Sequence, residues 1–246
     1  MKELHFYNKT FEKVVRNELQ IHNRPITDED VLLISKLDCD FIFAIEDCET
    51  LCAFKNLDWL DITISFEDMS FLGKLENLVE LTIEFCKDDF DFVYLSNLKK
   101  IKSLMVTGGA WSNFNFHNLN AISQLPLLRD LTLHEFGSVD LSALKEMQQL
   151  KGFYCGYAGQ VKNVNAISYL VNLESLILID FVVDNLNFLD TLSDDLILEL
   201  CAIEVLECVN IEKLKRFKEY ELDEIIVNGK RLSNSHFANC PTGSNR

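Results

Sequence analysis

The sequence predicts a solenoid of the α/β class: a curved parallel sheet on the concave face, short 3-10 or α turns on the convex face, and a helical N-terminal cap. Three observations predict it. One apolar motif returns at a nearly constant period, a second apolar pattern fills the interval between its copies, and the first part of the chain carries helical patterning instead.

The motif is Leu57-Asp58-Trp59-Leu60-Asp61-Ile62, of the form L-x-x-L-x-L. It recurs as Leu78/Leu81/Ile83, Ile101/Leu104/Val106, Leu128/Leu131/Leu133, Leu150/Phe153/Cys155 and Leu173/Leu176/Leu178, with steps of 21, 23, 27, 22 and 23 residues. A looser copy lies at Asp195-Leu196-Ile197-Leu198, and a last one at Leu222/Ile225/Val227. Self-similarity at this period marks a stacked-coil architecture. Within the motif the later apolar residues alternate as in a strand, one face in and one out. Before each strand, apolar residues fall at every third position, as in Met69/Leu72/Leu75, Leu119/Ile122/Leu125, Val164/Ile167/Leu170 and Leu186/Leu189/Leu192. That spacing suits a 3-10 turn. One such coil cannot bury its own apolar face, so neighbours must stack.

Over approximately residues 26–230 this pattern resembles the leucine-rich repeat, roughly 22 residues long, of bacterial internalins. The resemblance implies a leucine-rich-repeat fold. It also implies an asparagine three positions after the last strand leucine, tying down the turn. Ser65, Cys86, Phe136, Ala158 and Phe181 stand there instead, which predicts less regular turns.

Residues 1–50 are expected to form the helical cap. Phe11, Val14, Val15 and Leu19 make one amphipathic stripe. Thr27 supplies a helix N-cap ahead of an acidic first turn of Asp28, Glu29 and Asp30, followed by Val31, Ile34 and Leu37. This arrangement resembles the internalin cap, which covers the open end of the first coil. Residues 51–230 hold the repeats and a C-terminal capping strand, Leu222–Val227, closed by an Asn228-Gly229 turn. Residues 231–246 are a polar tail expected to lack fixed structure.

Composition limits the function classes. The 246 residues carry 39 acidic and 23 basic side chains, a formal net charge of −16. Such a surface repels phosphate backbones and anionic lipid, so neither nucleic acid nor membrane is expected as a partner, and a basic protein is. The N-terminus has no basic segment followed by an apolar stretch, so no secretory signal is read there. The eight cysteines are scattered without a C-x-x-C pair, which suits reduced thiols in the core of a cytoplasmic protein; Cys86, Cys155 and Cys201 are expected to be buried. No phosphate-cradling, dinucleotide or nucleophile-elbow motif occurs, and the five histidines lack metal-ligand spacing. The chain therefore reads as a non-enzyme without cofactor or metal, monomeric when free.

The outward positions of successive strands define the expected protein-binding face. Early strands present Trp59, Asp61, Glu80 and Glu84, middle strands Met105, Arg129, His134 and Tyr154, and late ones Glu174, Ile177, Asp195 and Asp223. The face is thus banded: acidic, mixed to basic, then acidic. The 27-residue step places Trp111, Phe114 and Phe116 in an insertion, where they either form a binding loop on one rim or fold back over the core edge. Tyr157 extends the same patch. The functional expectation is a non-catalytic scaffold that captures one protein, such as an immunity or inhibitor protein. Left open are an internalin-like effector or surface protein engaging host proteins, and a regulatory subunit of an intracellular enzyme.

Overall fold

The computed structural model describes residues 1–66, 68–85, 89–108, 115–207 and 211–231. Its backbone of strands is β1 (Lys36–Phe43), β2 (Trp59–Ile64), β3 (Glu80–Phe85), β4 (Asp89–Asp91), β5 (Ser103–Gly108), β6 (Asn115–His117) and β7 (Asp130–Asp140). The series continues with β8 (Gly152–Lys162), β9 (Ser175–Val183), β10 (Ile197–Val205), β11 (Glu219–Asp223), β12 (Ile226–Val227) and β13 (Lys230–Arg231). All join one sheet, parallel except for the antiparallel β12–β13 hairpin at Asn228-Gly229. The motif residues stack in register: Leu60, Leu81, Leu104, Leu131, Phe153 and Leu176 form one inward column. Every member of that column is at most 2% exposed, so the alternation seen in the sequence is the core boundary.

The three-spaced residues return the chain along the opposite side through 3-10 turns, among them Leu72–Lys74, Phe92–Leu95, Leu119–Ile122, Leu141–Glu146, Val164–Tyr169 and Asn187–Leu189. Several turns are started by a side chain that accepts a backbone N–H two residues on: Asp68 from Ser70, Asp91 from Val93, Asp140 from Ser142 and Asn185 from Asn187, at 2.8–3.0 Å. The next coil then reaches back, Asn118 donating to Asp91 and Asn163 to Asp140. A second ladder runs one position ahead of the motif. There Asn56 donates to the carbonyl of Leu32, Asn77 to Lys55, Gln149 to Leu125 and Asn172 to Gln148. These amides satisfy carbonyls that the irregular backbone would otherwise leave unpaired.

The absent turn asparagine has a different consequence from the irregular turns that the sequence suggested. At Glu135, Tyr157, Asp180, Ala202 and Glu224 a single residue adopts left-handed backbone, φ 51–61°. The strand turns a corner there and continues. Phe136, Phe181, Ile203 and Ile225, each following a corner residue, drop into the core at 1–3% exposure. Beyond the corner the strands pair again, Val139 with Val161 and Val205 with Val183. A non-glycine residue in this conformation costs on the order of 1–2 kcal/mol, whereas burying a large apolar side chain returns roughly 1.5–3 kcal/mol. Burial wins, and the corner repeats regularly.

Three expectations are corrected. The segment assigned to the cap, 1–50, already contains β1, because Ile34/Leu37/Cys39 is itself a copy of the motif, paired through Leu37 to Leu60. The helix expected after Thr27 is only a 3-10 turn, Asp30–Leu33, although Thr27 and Asp30 do cap each other. The last coil begins at Phe217, five residues before the position read from the sequence, with Tyr220 beside Leu198 and Leu222 beside Leu200. The first helix is as expected: α1 (Lys9–Leu19) is capped by Asn8 and buries Phe11 and Val15. Phe11 packs edge-on to Phe43, closing the end of the first coil. The polar tail from residue 232 lies outside the described residues.

The cysteines divide. Cys39 and Cys155 are buried, and burial pushes the Cys39 thiol up to about 12 and Cys155 well above its ordinary value. Cys201 is not buried as expected: it occupies an outward position of β10, partly open, 3.9 Å from an Asp223 carboxylate oxygen. Cys86 lies outside the described residues. With a thiol reagent under native conditions, Cys201 is expected to be modified well before Cys39 and Cys155, which wait for unfolding. Peptide mapping by mass spectrometry reads the order; equal rates at Cys201 and Cys155 without denaturant would contradict the burial.

Candidate protein-interaction face

Because successive side chains of a strand alternate, the register fixes three outward rows across the sheet. The middle row runs Asp38, Asp61, Thr82, Met105, Thr132, Tyr154, Ile177, Glu199, Glu221. The row beside it runs Thr63, Glu84, Thr107, His134, Gly156, Ile179, Cys201, Asp223. Trp59 and Glu80 stand in the remaining row with Lys36, Asp130 and Ile197.

Of the residues expected to bind a partner, Trp59, Asp61, Glu80, Glu84, Met105, His134 and Tyr154 all occupy outward positions. Glu80 and Glu84 are exposed, while Trp59, Asp61 and Met105 are half-buried. Arg129 is off the face, one residue ahead of β7. There it forms a rim with Lys102 and Lys151, whose backbones bond in sequence, and its guanidinium donates to the Gln149 carbonyl. Trp111 and Phe114 lie outside the described residues. Phe116 is a correction. It pairs with Phe90 between β6 and β4, is 6% exposed, and its ring packs against Phe90, Phe92 and Phe136. Its backbone belongs to the sheet arm beyond the corner, so its side chain alternates into the core and leaves the candidate face.

The structure brings His134, Tyr154 and Tyr157 together. The His134 ring lies 5.5 Å from that of Tyr154 and 5.0 Å, edge-on, from that of Tyr157. The imidazole Nδ1 is 3.2 Å from the Thr107 hydroxyl. Tyr157 sits at the corner position, 52% exposed. A glycine allows this grouping. A Cβ on Gly156 would lie 3.1 Å from the Tyr154 hydroxyl and 3.1 Å from Ile179, so the ring lies down over bare backbone. Burial, with Tyr157 and Glu199 nearby, pushes the Tyr154 phenol up to about 12.

The ends of the face are acidic. Asp38 opposes Asp61 at one end, and Glu199 opposes Glu221 at the other. Sequence reading missed Glu199, Glu221 and Ile179. The inward column Leu178, Leu200, Leu222 was the signal that would have found them, since each stands beside one of its members. Among the described residues no group of three His, Cys, Asp or Glu side chains could hold a metal ion, and no helix is long and apolar enough to cross a membrane. The face offers apolar and aromatic area with flanking charge, which is chemistry for adhesion to another surface.

No family model and no curated protein matches the chain. Solved structures do. Internalin C2 from Listeria monocytogenes superposes with a TM-score of 0.68 at 17% identity, covering 88% of this chain and 94% of that one. An internalin, InlF, from the same organism gives 0.41 at 14% identity over 98% and 96%. The plant peptide hormone receptor RGFR1, solved in complex with RGF2, gives 0.45 at 14% identity over 75% of this chain and 35% of that one. The superposition on internalin C2 shows an internalin-like leucine-rich-repeat fold.

Proposed function

We propose that the chain is a non-catalytic scaffold that captures one basic protein partner on its concave face, as a cytoplasmic inhibitor or immunity protein does. The observation that carries this reading is the half-open cluster of His134, Tyr154 and Tyr157 at mid-face, flanked on both sides by carboxylates. Aromatic side chains near the centre of an interface hold most of the binding energy. Flanking charge acts chiefly on encounter rate, and a net charge of −16 would draw in a basic partner. The fold similarity to internalin C2 supports a solenoid suited to presenting such a face.

The test is affinity capture from cells of the source organism, followed by kinetics on the captured protein. Tyr154→Ala is expected to weaken binding some tens of fold, roughly 2 kcal/mol, through faster dissociation. Charge reversal at Asp58, in the rim row of Lys102 and Arg129 one residue ahead of β2, and at Glu84 on the face is expected to slow association and flatten its salt dependence. An acidic partner, or one indifferent to Tyr154, would overturn the proposal; a partner from a host cell or an intracellular enzyme would redirect it.

A further inference from the structure

The C-terminal half of the concave face combines two features that the chain itself leaves unanswered. On β9 the outward residues are Ile177 and Ile179, and Ile197 on β10 is 42% exposed. Isoleucine is the residue expected on the inner side of a strand, and here the inner side is already filled by Leu176 and Leu178. Beside this shelf, the Tyr154 hydroxyl and the Ile179 side chain both overlie Gly156, each 3.1 Å from where a Cβ there would stand.

The next strands are acidic at the same level. Ile177 neighbours Glu199, which neighbours Glu221; Ile179 neighbours Cys201, which neighbours Asp223. Like charges directly opposed on adjacent strands destabilise a sheet. Burial and Glu221 together push the Glu199 carboxyl above its ordinary value. Among the described residues, no lysine or arginine forms an ion pair with Glu199, Glu221 or Asp223. Of the cations of this end, Lys213 pairs with Asp190, Lys215 with Glu212, Arg216 with Asp194 and Arg231 with Glu224, while Lys218 and Lys230 form no ion pair with these three carboxylates.

We propose that this half of the face, from Tyr154 across Ile177 and Ile179 to Glu199, Glu221 and Asp223, docks a lysine- or arginine-bearing segment of a protein partner. Adjacent strands lie about 4.8 Å apart. A long basic side chain therefore rests its apolar stem on the isoleucines while its charge reaches the carboxylates one or two strands on. A second copy of this chain, itself at −16, lacks the complementary charge. The inference rests on the concave face being the interface and goes further by naming the half used and the side chains it takes.

The probe is a terminally blocked twelve-residue peptide alternating lysine and valine, with a glutamate–valine peptide as control, titrated into the full chain by calorimetry. The lysine peptide is expected to bind and the control not to. The double variant Glu199→Gln/Glu221→Gln, and separately Ile177→Ser, should each weaken binding at least tenfold. Asp61→Asn/Glu84→Gln, at the opposite end, should change it less than twofold. The glutamine pair should also melt higher than the parent, since it removes an unfavourable charge pair, so lost binding cannot be ascribed to lost folding. Absence of lysine-peptide binding overturns the inference. So does equal loss from both double variants, which would reduce the effect to net charge, and so does self-association abolished by the same substitutions. In each case dependence of the native partner on Tyr154 would leave the scaffold reading standing.

Discussion

Replacing Phe116 with alanine is expected to destabilise the native chain by about 4 kcal/mol, within the range measured for emptying a buried aromatic site. The ring is 6% exposed and touches those of Phe90, Phe92 and Phe136, with centroids 4.9–6.3 Å apart. These four rings come from three successive coils, so the cavity would open across coil boundaries, where neighbours cannot collapse without moving the sheet. For a chain of this size such a loss shifts the melting temperature by roughly 10 °C. Urea denaturation followed by circular dichroism measures it. A change under 1 kcal/mol, accompanied by loss of partner binding, would return Phe116 to the interface where the sequence had placed it.

The second large effect is expected at Asp47. This carboxylate is fully buried, and its two oxygens accept the backbone N–H groups of Tyr7 and Asn8 at 2.8 Å each. Asn8 in turn caps α1 through Thr10 and Phe11, and Thr50 donates to the His5 carbonyl at 2.6 Å. Asp47→Ala removes the carboxylate that accepts from both N–H groups, which costs about 3 kcal/mol. Asp47→Asn, retaining one acceptor oxygen, should recover part of it. Hydrogen exchange localises the effect: α1 amides are expected to lose protection first, because Phe11 holds the cap onto Phe43 and Phe54. Unchanged exchange in α1 would mean that the cap is held by its apolar contacts alone.

The parts of this fold that could be read from sequence are those governed by alternation and period. Leu60, Ile62 and their equivalents announce both strand and inner face, because only one register buries them all. The corner could not be read. Left-handed backbone is signalled by glycine or asparagine, and Glu135, Tyr157, Asp180, Ala202 and Glu224 give no such signal. Tertiary burial of the following residue holds them there. The same blind spot displaced Phe116, whose inward direction depends on a sheet arm that exists only beyond the corner. The first coil was hidden for another reason. Val31, Ile34 and Leu37 satisfy both a helix stripe and a 3-10 turn running into a strand, and the pairing with β2 decides between them. The candidate face was legible in its outward positions over β2–β8. Beyond β8, Ile177 and Asp223 were legible too, whereas Ile179, Glu199 and Glu221 emerged only when Leu198 and Leu200 fixed the register of β10.

The four rungs of the side-chain ladder, at Asn56, Asn77, Gln149 and Asn172, each tie a coil to the one before it and to no other. Stretched between its ends, such a chain would not yield all at once. It would peel like a zip, each coil of some 22 residues releasing about 75 Å of contour before the next begins to bear tension. The two ends are unequally fastened. The first coil is clasped by Asp47 and Thr50, whereas the last is closed by a hairpin of two residue pairs, Ile226 with Arg231 and Val227 with Lys230. By this comparison of the described residues, unravelling is expected to start at the C-terminal coil. The 27-residue step at Ile101 to Leu128 would appear as one longer interval in the force trace, a mark that shows how far the zip has run.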